Sequence, residues 1–264
     1  EGLSQHSINV MAMCDTYTIP YGVESMTFPA DAETSRADGS RAGGIRGYWK
    51  SELSVMTESR PTLREIKLEP QELYVFVYAS DKLLRNAAIL EQYISKKAIE
   101  EIHFKLCDAI INGTGSGMPK GILPSAATVD VAKETGQDAD TVVRQNIQKM
   151  YQRMLAISQT RGVWLFDPSC HSDLSSLTLA VGTGGMPLMM PPGGLSAAPY
   201  STIYGRPAYP TEFCGAIGDN GDVIFADLGA YALGIRGGIE SAISIHLKFD
   251  FNQTAFRFIF EADG

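Results

Sequence analysis

Long apolar runs are missing from this chain. No stretch of 18 or more apolar residues occurs and no charged-then-apolar leader opens it, so neither a membrane span nor a signal peptide is expected. Nothing in the sequence asks for a membrane partner. Cysteine is scarce, and Cys14, Cys107, Cys170 and Cys214 are scattered, with no CxxC and no histidine at ligand spacing. That argues against a zinc site or a disulfide framework and leaves reduced thiols in a cytoplasmic setting as the expectation. Positive charge is thin too: 22 Lys and Arg stand against 30 Asp and Glu, for a formal net charge of −8. With no dense basic cluster, contact with DNA is expected to be weak.

Catalytic patterns are equally sparse. Cys170 and His171 are neighbours, but adjacent residues on one backbone point apart, and a Cys/His dyad is normally assembled from distant positions. No GxSxG elbow appears, so no enzyme activity is expected. His103 reads as a packed or solvent-edge histidine. The first residue, Glu1, is not methionine, which suggests trimming, either by a maturation protease or during preparation.

What the chain does have, with 264 residues of which 44% are hydrophobic, is material for a sizeable core in one or two domains. Its organising stretch is 86–123. Leu90, Ile94, Ala98, Ile102, Leu106 and Ile110 recur every fourth residue, with Glu91, Lys96, Lys97, Glu100, Glu101 and Lys105 on the other faces. That period predicts an amphipathic helix of roughly 25 residues, a rod about 37 Å long. It ends in Gly113-Thr114-Gly115-Ser116-Gly117-Met118-Pro119-Lys120-Gly121-Ile122-Leu123. Gly113 stands where a helix favours a left-handed C-terminal residue, and Pro119 stops helix from resuming. Neither GxxxxGK[ST] nor GxGxxG can be threaded through these glycines. The turn also closes a helix rather than opening one, so it reads as structural, with no nucleotide, cofactor or metal implied.

Around this centre, 1–25 reads as an N-terminal arm with an alternating piece at 17–23. Residues 48–56 and 63–68 alternate like strands, which suggests a long hairpin with a mobile, charged tip near 34–44. A lone hairpin is marginal in water, so one of this size is expected to lie on something else. Leu73 to Ala79 is a β-type run, and Ser80 or Asp81 can cap the helical turn at its end. Asp138 or Asp140 should cap a helix over 141–158; 163–166 is a buried strand; 171–179 is a short helix before a Gly/Pro loop at 182–194. Strands are expected at 243–249 and 254–260.

The helix end Asp108-Ala109-Ile110-Ile111-Asn112-Gly113, with the GxGxGxPxGIL pattern after it, resembles the major capsid protein of tailed bacteriophages of the Hong Kong 97 type. The flanks are similar as well: Ala79-Ser80-Asp81-Lys82-Leu83-Leu84, the strand turn Ile203 to Ala208, the segment Gly221 to Tyr231 and the end Arg257 to Gly264. Arg206, Ala226 and Glu261 depart from the family's usual residues.

The resemblance implies an α+β fold of the Hong Kong 97 type with a spine helix, long peripheral strands, an axial domain and an extended loop. The domains would be an arm (1–25), the extended loop (26–71), a peripheral domain (72–124 with 228–264) and an axial domain (125–227). It implies a structural shell protein whose main partner is itself, in hexamers and pentamers of an icosahedral phage head, assembled in the bacterial cytoplasm and residing in the virion. Portal, scaffold and decoration proteins are further candidate partners. An encapsulin-like nanocompartment shell of the same fold is one alternative and a soluble α+β enzyme another.

In this family the loop lies over a neighbouring subunit. Trp49 is then the candidate contact, with packing at the hairpin root the other reading. Arg36, Arg41 and Arg46 are candidates to pair with a neighbour's acids, or form a solvated tip. Some members weld their shells through a Lys–Asn bond, but no lysine lies between Thr27 and Tyr48, Lys50 is near the loop base, and Asn252 matches no pattern. Covalent crosslinking is therefore not expected here, because arginine stays protonated and cannot replace the lysine nucleophile.

Overall fold

The computed structural model describes residues 9–33, 35, 37–86, 90–181, 184–187 and 202–264. In chain order these form β1 (Asp15–Ile19), β2 (Met26–Asp31), β3 (Leu63–Leu68), β4 (Gln71–Ser80), α1 (Asp81–Asn86), α2 (Leu90–Asn112), α3 (Arg144–Arg153), α4 (Ala156–Gln159) and β5 (Val163–Phe166). Next come α5 (His171–Ser176), β6 (Thr178–Val181), β7 (Gly184–Pro187), β8 (Thr202–Ile203), β9 (Arg206–Pro210), β10 (Val223–Ala226), β11 (Ala232–Lys248) and β12 (Gln253–Asp263).

Helix α2 follows its four-residue period. Ala98, Ile102, Leu106 and Ile110 are buried, joined by Cys107 and Ile111, while Glu91, Lys96, Glu101 and Lys105 face water. This stripe packs on a four-stranded sheet ordered β1-β11-β12-β4. β12 and β4 run antiparallel in unbroken register, from Gln253 opposite Ser80 to Ala262 opposite Gln71. Because side chains alternate along a strand, Leu73, Val75 and Ala79 join the core with α2, and Tyr74, Phe76 and Tyr78 are left on the outer face.

A second four-stranded sheet, β10-β5-β9-β8, has apolar residues on both faces. Leu165, Ile224 and Ala226 enter the core around α2, whereas Trp164, Phe166 and Val223 enter another core with Ile147, Cys170 and Leu174. Two cores thus share one sheet. Trp164 is wholly buried, stacks on Phe225 at 4.3 Å and donates its indole N–H to the Ile203 carbonyl at 3.1 Å. The strand expected at 163–166 is β5. The turn at Tyr204-Gly205 has both φ angles positive, 52° and 72°, as a two-residue hairpin requires.

Three local expectations are corrected. Residues 48–56 form no strand: β3 pairs with β2 instead, Met26 opposite Leu68 to Asp31 opposite Leu63. A turn intervenes at residues 51–54, with Leu53 at φ 66° and the Ser54 N–H donating to Ser51, so the chain cannot run on extended. The helix expected over 141–158 breaks after Arg153, where Met154 takes ψ 142° and the Gln159 amide donates to the carbonyls of Tyr151 and Met154. Its start is fixed by neither Asp138 nor Asp140. The Asn146 carboxamide oxygen accepts from the Val143 N–H at 3.0 Å, while Asp140 sits at φ 54° outside the helix. The Gly/Pro loop at 182–194 falls mostly outside the described residues. Among the described residues no helix is long and apolar enough to cross a membrane.

Candidate functional site: the glycine turn and the extended loop

The last turn of a helix leaves carbonyls without intrahelical donors. Here the chain folds back through the glycine turn and supplies them: Ile122 donates to Ile110 at 2.9 Å, Leu123 to Ile111 at 3.0 Å, and Gly121 to Gly113 at 2.7 Å. Gly113 is not left-handed, contrary to expectation; the positive φ values belong to Gly115 (77°) and Gly117 (69°). Space demands glycine at 113. A Cβ there would lie 2.2 Å from the Pro119 carbonyl oxygen and 2.4 Å from that of Ala109, and one on Gly121 would lie 2.6 Å from that of Ile111. Pro119 is buried inside the turn.

The same turn holds the chain's last residue. Lys120 N–H donates to the Gly264 carbonyl at 3.1 Å, and the Tyr231 hydroxyl donates to the Lys120 carbonyl at 3.0 Å. A shallow space of about 270 Å³ beside it is lined by Leu73, Leu106, Ala109, Met118, Pro119 and Phe260 among others. Its walls are mostly hydrocarbon, with Glu72, Lys105, Asp108 and Asn112 among the polar residues that line it.

None of the thiols is poised to react. Burial pushes Cys14 up to about 12, with Cys107 nearby adding to it, and Cys214 up to about 12, with Asp167 adding. Burial, then Asp222, lifts Cys170 to about 11, and burial raises Cys107. The Cys170 thiol faces the Asp222 carbonyl, while His171 is exposed and lies against Phe166. A closer pairing escaped the sequence analysis: Cys107, one turn beyond His103, has its Sγ 4.0 Å from His103 Nδ1, and His103 Nε2 lies 3.0 Å from the Asn9 carboxamide oxygen. Cys107 is fully buried and its thiol is held protonated, so this pair packs the arm against α2. Among the described residues no group of His, Cys, Asp and Glu is arranged to hold a metal.

Segment 26–71 is fastened at its base. Tyr17 stacks on Phe28 at 5.2 Å, Glu69 N–H donates to the Asp263 carboxylate at 2.7 Å, and the Arg236 guanidinium donates to the carbonyls of Val23 and Glu24. Arg236 also pairs with Glu261 at 2.5 Å, which gives a local reason for the acidic residue at that position. Further out the tip folds on itself: Thr62 N–H donates to Gly43, and the Arg46 guanidinium packs against Gly39.

The candidate contact residues are dispersed by the structure. Arg36 lies outside the described residues. Arg41 lies 3.9 Å from Asp38, with both side chains well solvated, and Arg46 is turned to its own loop. Trp49 is not packed at the hairpin root; it is fully exposed (104%), and Leu53 (98%) and Val55 (93%) stand out beside it with Met56. Sequence reasoning singled out Trp49 and missed the other three, although alternation in 48–56 places Leu53 and Val55 on the side of Trp49. The outward stripe Tyr74, Phe76 and Tyr78 was equally readable from the period of two, once β4 was known to be covered on one face only.

The exposed apolar side chains of Trp49, Leu53, Val55 and Met56 are the kind of surface that proteins use to meet other surfaces. The model of the phage capsid family matches residues 4–264, and the chain belongs to that family. It is a structural major capsid protein of a phage head. No curated protein matches the sequence. Among solved structures, the capsid of the native GTA particle superposes with a TM-score of 0.76 at 16% identity, covering 97% of this chain and 85% of that one. A chain from Mycobacterium phage Bobi gives a TM-score of 0.60 at 16% identity, covering 96% and 82%, and one from Mycobacterium phage Adephagia 0.56 at 13%, covering 96% and 82%. At such identities the likeness is one of fold: a mixed helix and sheet chain shaped like phage capsid subunits.

Proposed function

We propose that the chain takes the Hong Kong 97-type arrangement and self-assembles, as hexamers and pentamers, into an icosahedral head shell enclosing phage DNA. In this reading α2 is the spine of a peripheral domain (72–124 with 228–264), 125–227 is the axial domain, 1–25 the arm and 26–71 the loop laid over a neighbour. The observation that carries it is the loop itself. Trp49, Leu53, Val55 and Met56 are exposed together, a cost that a solitary protein has no reason to bear.

Each subunit offers the loop to one neighbour and receives another's, a heterologous contact that closes into rings. Repeated weak contacts then build a wall. Arg36 and Arg41 are kept as candidate partners for a neighbour's acids, while the glycine turn (Gly113, Gly115, Gly117, Pro119, Gly121) keeps α2 and the C-terminal strand together. The net charge of −8 keeps contact with packaged DNA weak. Portal, scaffold and decoration proteins are the further partners this reading allows, with assembly in the host cytoplasm. Electron microscopy of the purified chain, alone and co-expressed with its phage neighbours, is the direct test. Closed particles with five-fold vertices are expected; a chain that stays dispersed under both conditions would end the proposal.

A further inference from the structure

Asparagine followed by glycine occurs twice in the chain, at Asn112-Gly113 and Asn220-Gly221. A residue without a side chain leaves its amide nitrogen unshielded, free to approach the carboxamide before it, and it allows the backbone motion that this approach needs. The fold treats the two pairs in opposite ways. Asn112 closes α2, and its carboxamide N–H groups donate to the Asp108 carboxylate and to the Phe213 carbonyl, both at 2.8 Å. The Gly113 N–H donates to Ala109 at 2.9 Å, and the carbonyl oxygens of Pro119 and Ala109 crowd Gly113. Neither the leaving group nor the nitrogen that would displace it is at liberty.

Asn220 is exposed, in the turn Asp219–Asp222 that leads into β10. The Asp222 N–H closes this turn on the Asp219 carbonyl at 3.2 Å, and Gly221 holds its third position at φ 87°, as a type II turn demands. Among the described residues neither the Asn220 carboxamide nor the Gly221 N–H makes a hydrogen bond. Glycine at 221 is compulsory for a second reason, because a Cβ there would lie 2.6 Å from Leu123 Cδ1. The fold thus keeps the reactive pair in place and gives the asparagine side chain nothing to hold.

We infer that Asn220 is a site of spontaneous self-modification, converted in the folded chain to aspartate and isoaspartate, while Asn112 is protected. The Gly221 nitrogen adds to the Asn220 side-chain carbonyl carbon. As the N–Cγ bond forms, the Cγ–Nδ2 bond breaks, and the Gly221 amide proton leaves with the side-chain nitrogen as ammonia, closing a five-membered imide. Water then opens the ring at either carbonyl, restoring the chain through the main-chain carbonyl as aspartate or through the side chain as isoaspartate. Water is the one co-reactant. Each event adds a carboxylate beside Asp219 and Asp222, with Asp140 already against Gly218. Isoaspartate also adds a methylene to the main chain at the point where Gly221 is buried on Leu123. The folded single chain suffices for this reaction, so it stands apart from the shell reading.

Two measurements test this. In the first, the purified folded chain is held in warm, mildly alkaline buffer beside a sample in concentrated urea, and peptide mass mapping follows the exchange of amide for carboxylate at each site. In the folded chain Asn220 should convert at least about tenfold faster than Asn112, the factor that releasing two ordinary hydrogen bonds imposes on a rate, and the two rates should converge in urea. Equal rates in the folded chain, a faster Asn112, or an Asn220 that converts only in urea would overturn the inference. In the second, Asn220→Gln changes an exposed side chain and enlarges the ring that must close. The acidic species that accumulates on ion exchange in the native chain should be lost in N220Q, with unchanged melting. An acidic species that persists undiminished in N220Q would place the reaction at another residue and end the proposal.

Discussion

Gly113 and Gly117 stand four residues apart in the same turn and do different work. At 113 the constraint is space, since a Cβ would run into two carbonyl oxygens; at 117 nothing lies within 4 Å and only φ 69° disfavours a side chain. Gly113→Ala should therefore cost about 3 kcal/mol, the scale of overpacking a rigid site, and Gly117→Ala about 1 kcal/mol. Denaturant midpoints of the unassembled chain would show the order, and equal losses would contradict it. The turn itself was legible, because five small or rigid residues in nine admit little else. Which glycine needed φ and which needed room was not, because the obstructing atoms belong to backbone brought back from 119. The thiols give a second residue-scale test. Their ordinary value is 9.0, and in the folded chain three are lifted to about 11 or 12. Between 9 and 12 the unfolded chain gives up thiol protons that the folded chain keeps, so unfolding is favoured there. Their share of stability is fully present below pH 9 and is lost as pH rises toward 12. Urea midpoints should be flat across pH 7 to 8 and fall above 9, and alkylation at pH 8 should be slow until the chain is unfolded.

Glu261 shows how one side chain can fix the relation between elements. It lies on β12, pairs with Arg236 on β11, and Arg236 in turn holds the carbonyls of Val23 and Glu24 at the foot of the loop. Both side chains are mostly buried. Glu261→Gln should cost about 2 kcal/mol by weakening a charge-assisted hydrogen bond, and Glu261→Arg should cost more by setting two guanidinium groups together. Thermal denaturation of the two variants would check the ranking; an arginine variant as stable as the native chain would show that the pair does not anchor the loop. From sequence, α2 and the final strands were readable from their periods of 3.6 and 2, and β5 as a short unbroken apolar run closed by Asp167-Pro168. The partner of β3 was not. Residues 48–56 alternate as well as 26–31 do, and pattern alone cannot say that a turn at Leu53 withdraws the first from the hairpin and leaves Met26–Asp31 to pair.

At the scale of the molecule, the two tryptophans stand at opposite extremes of burial, and in the proposed function Trp49 is the one that a neighbour completes. Trp164 is wholly buried between the stacked Phe225 and the Ile203 carbonyl, so its surroundings are complete in a single copy. Trp49 is fully exposed and has no such surroundings. An indole in water emits to the red and is open to quenchers; one inside a packed interface is neither. Assembly should therefore shift the emission to the blue and shield about half of the tryptophan signal from iodide, with Trp49→Phe abolishing both changes while leaving the buried emission of Trp164 in place. Because truncating a central interface aromatic costs about 2 kcal/mol or more of contact energy, Trp49→Ala should raise the concentration needed for particles by more than about tenfold. Its melting as a single chain should stay within about 0.5 kcal/mol of the native protein, as for surface positions in general. The combination discriminates. A destabilised single chain would mean that Trp49 supports its own subunit, whereas lost assembly with an intact subunit is what a residue completed by its neighbour must give.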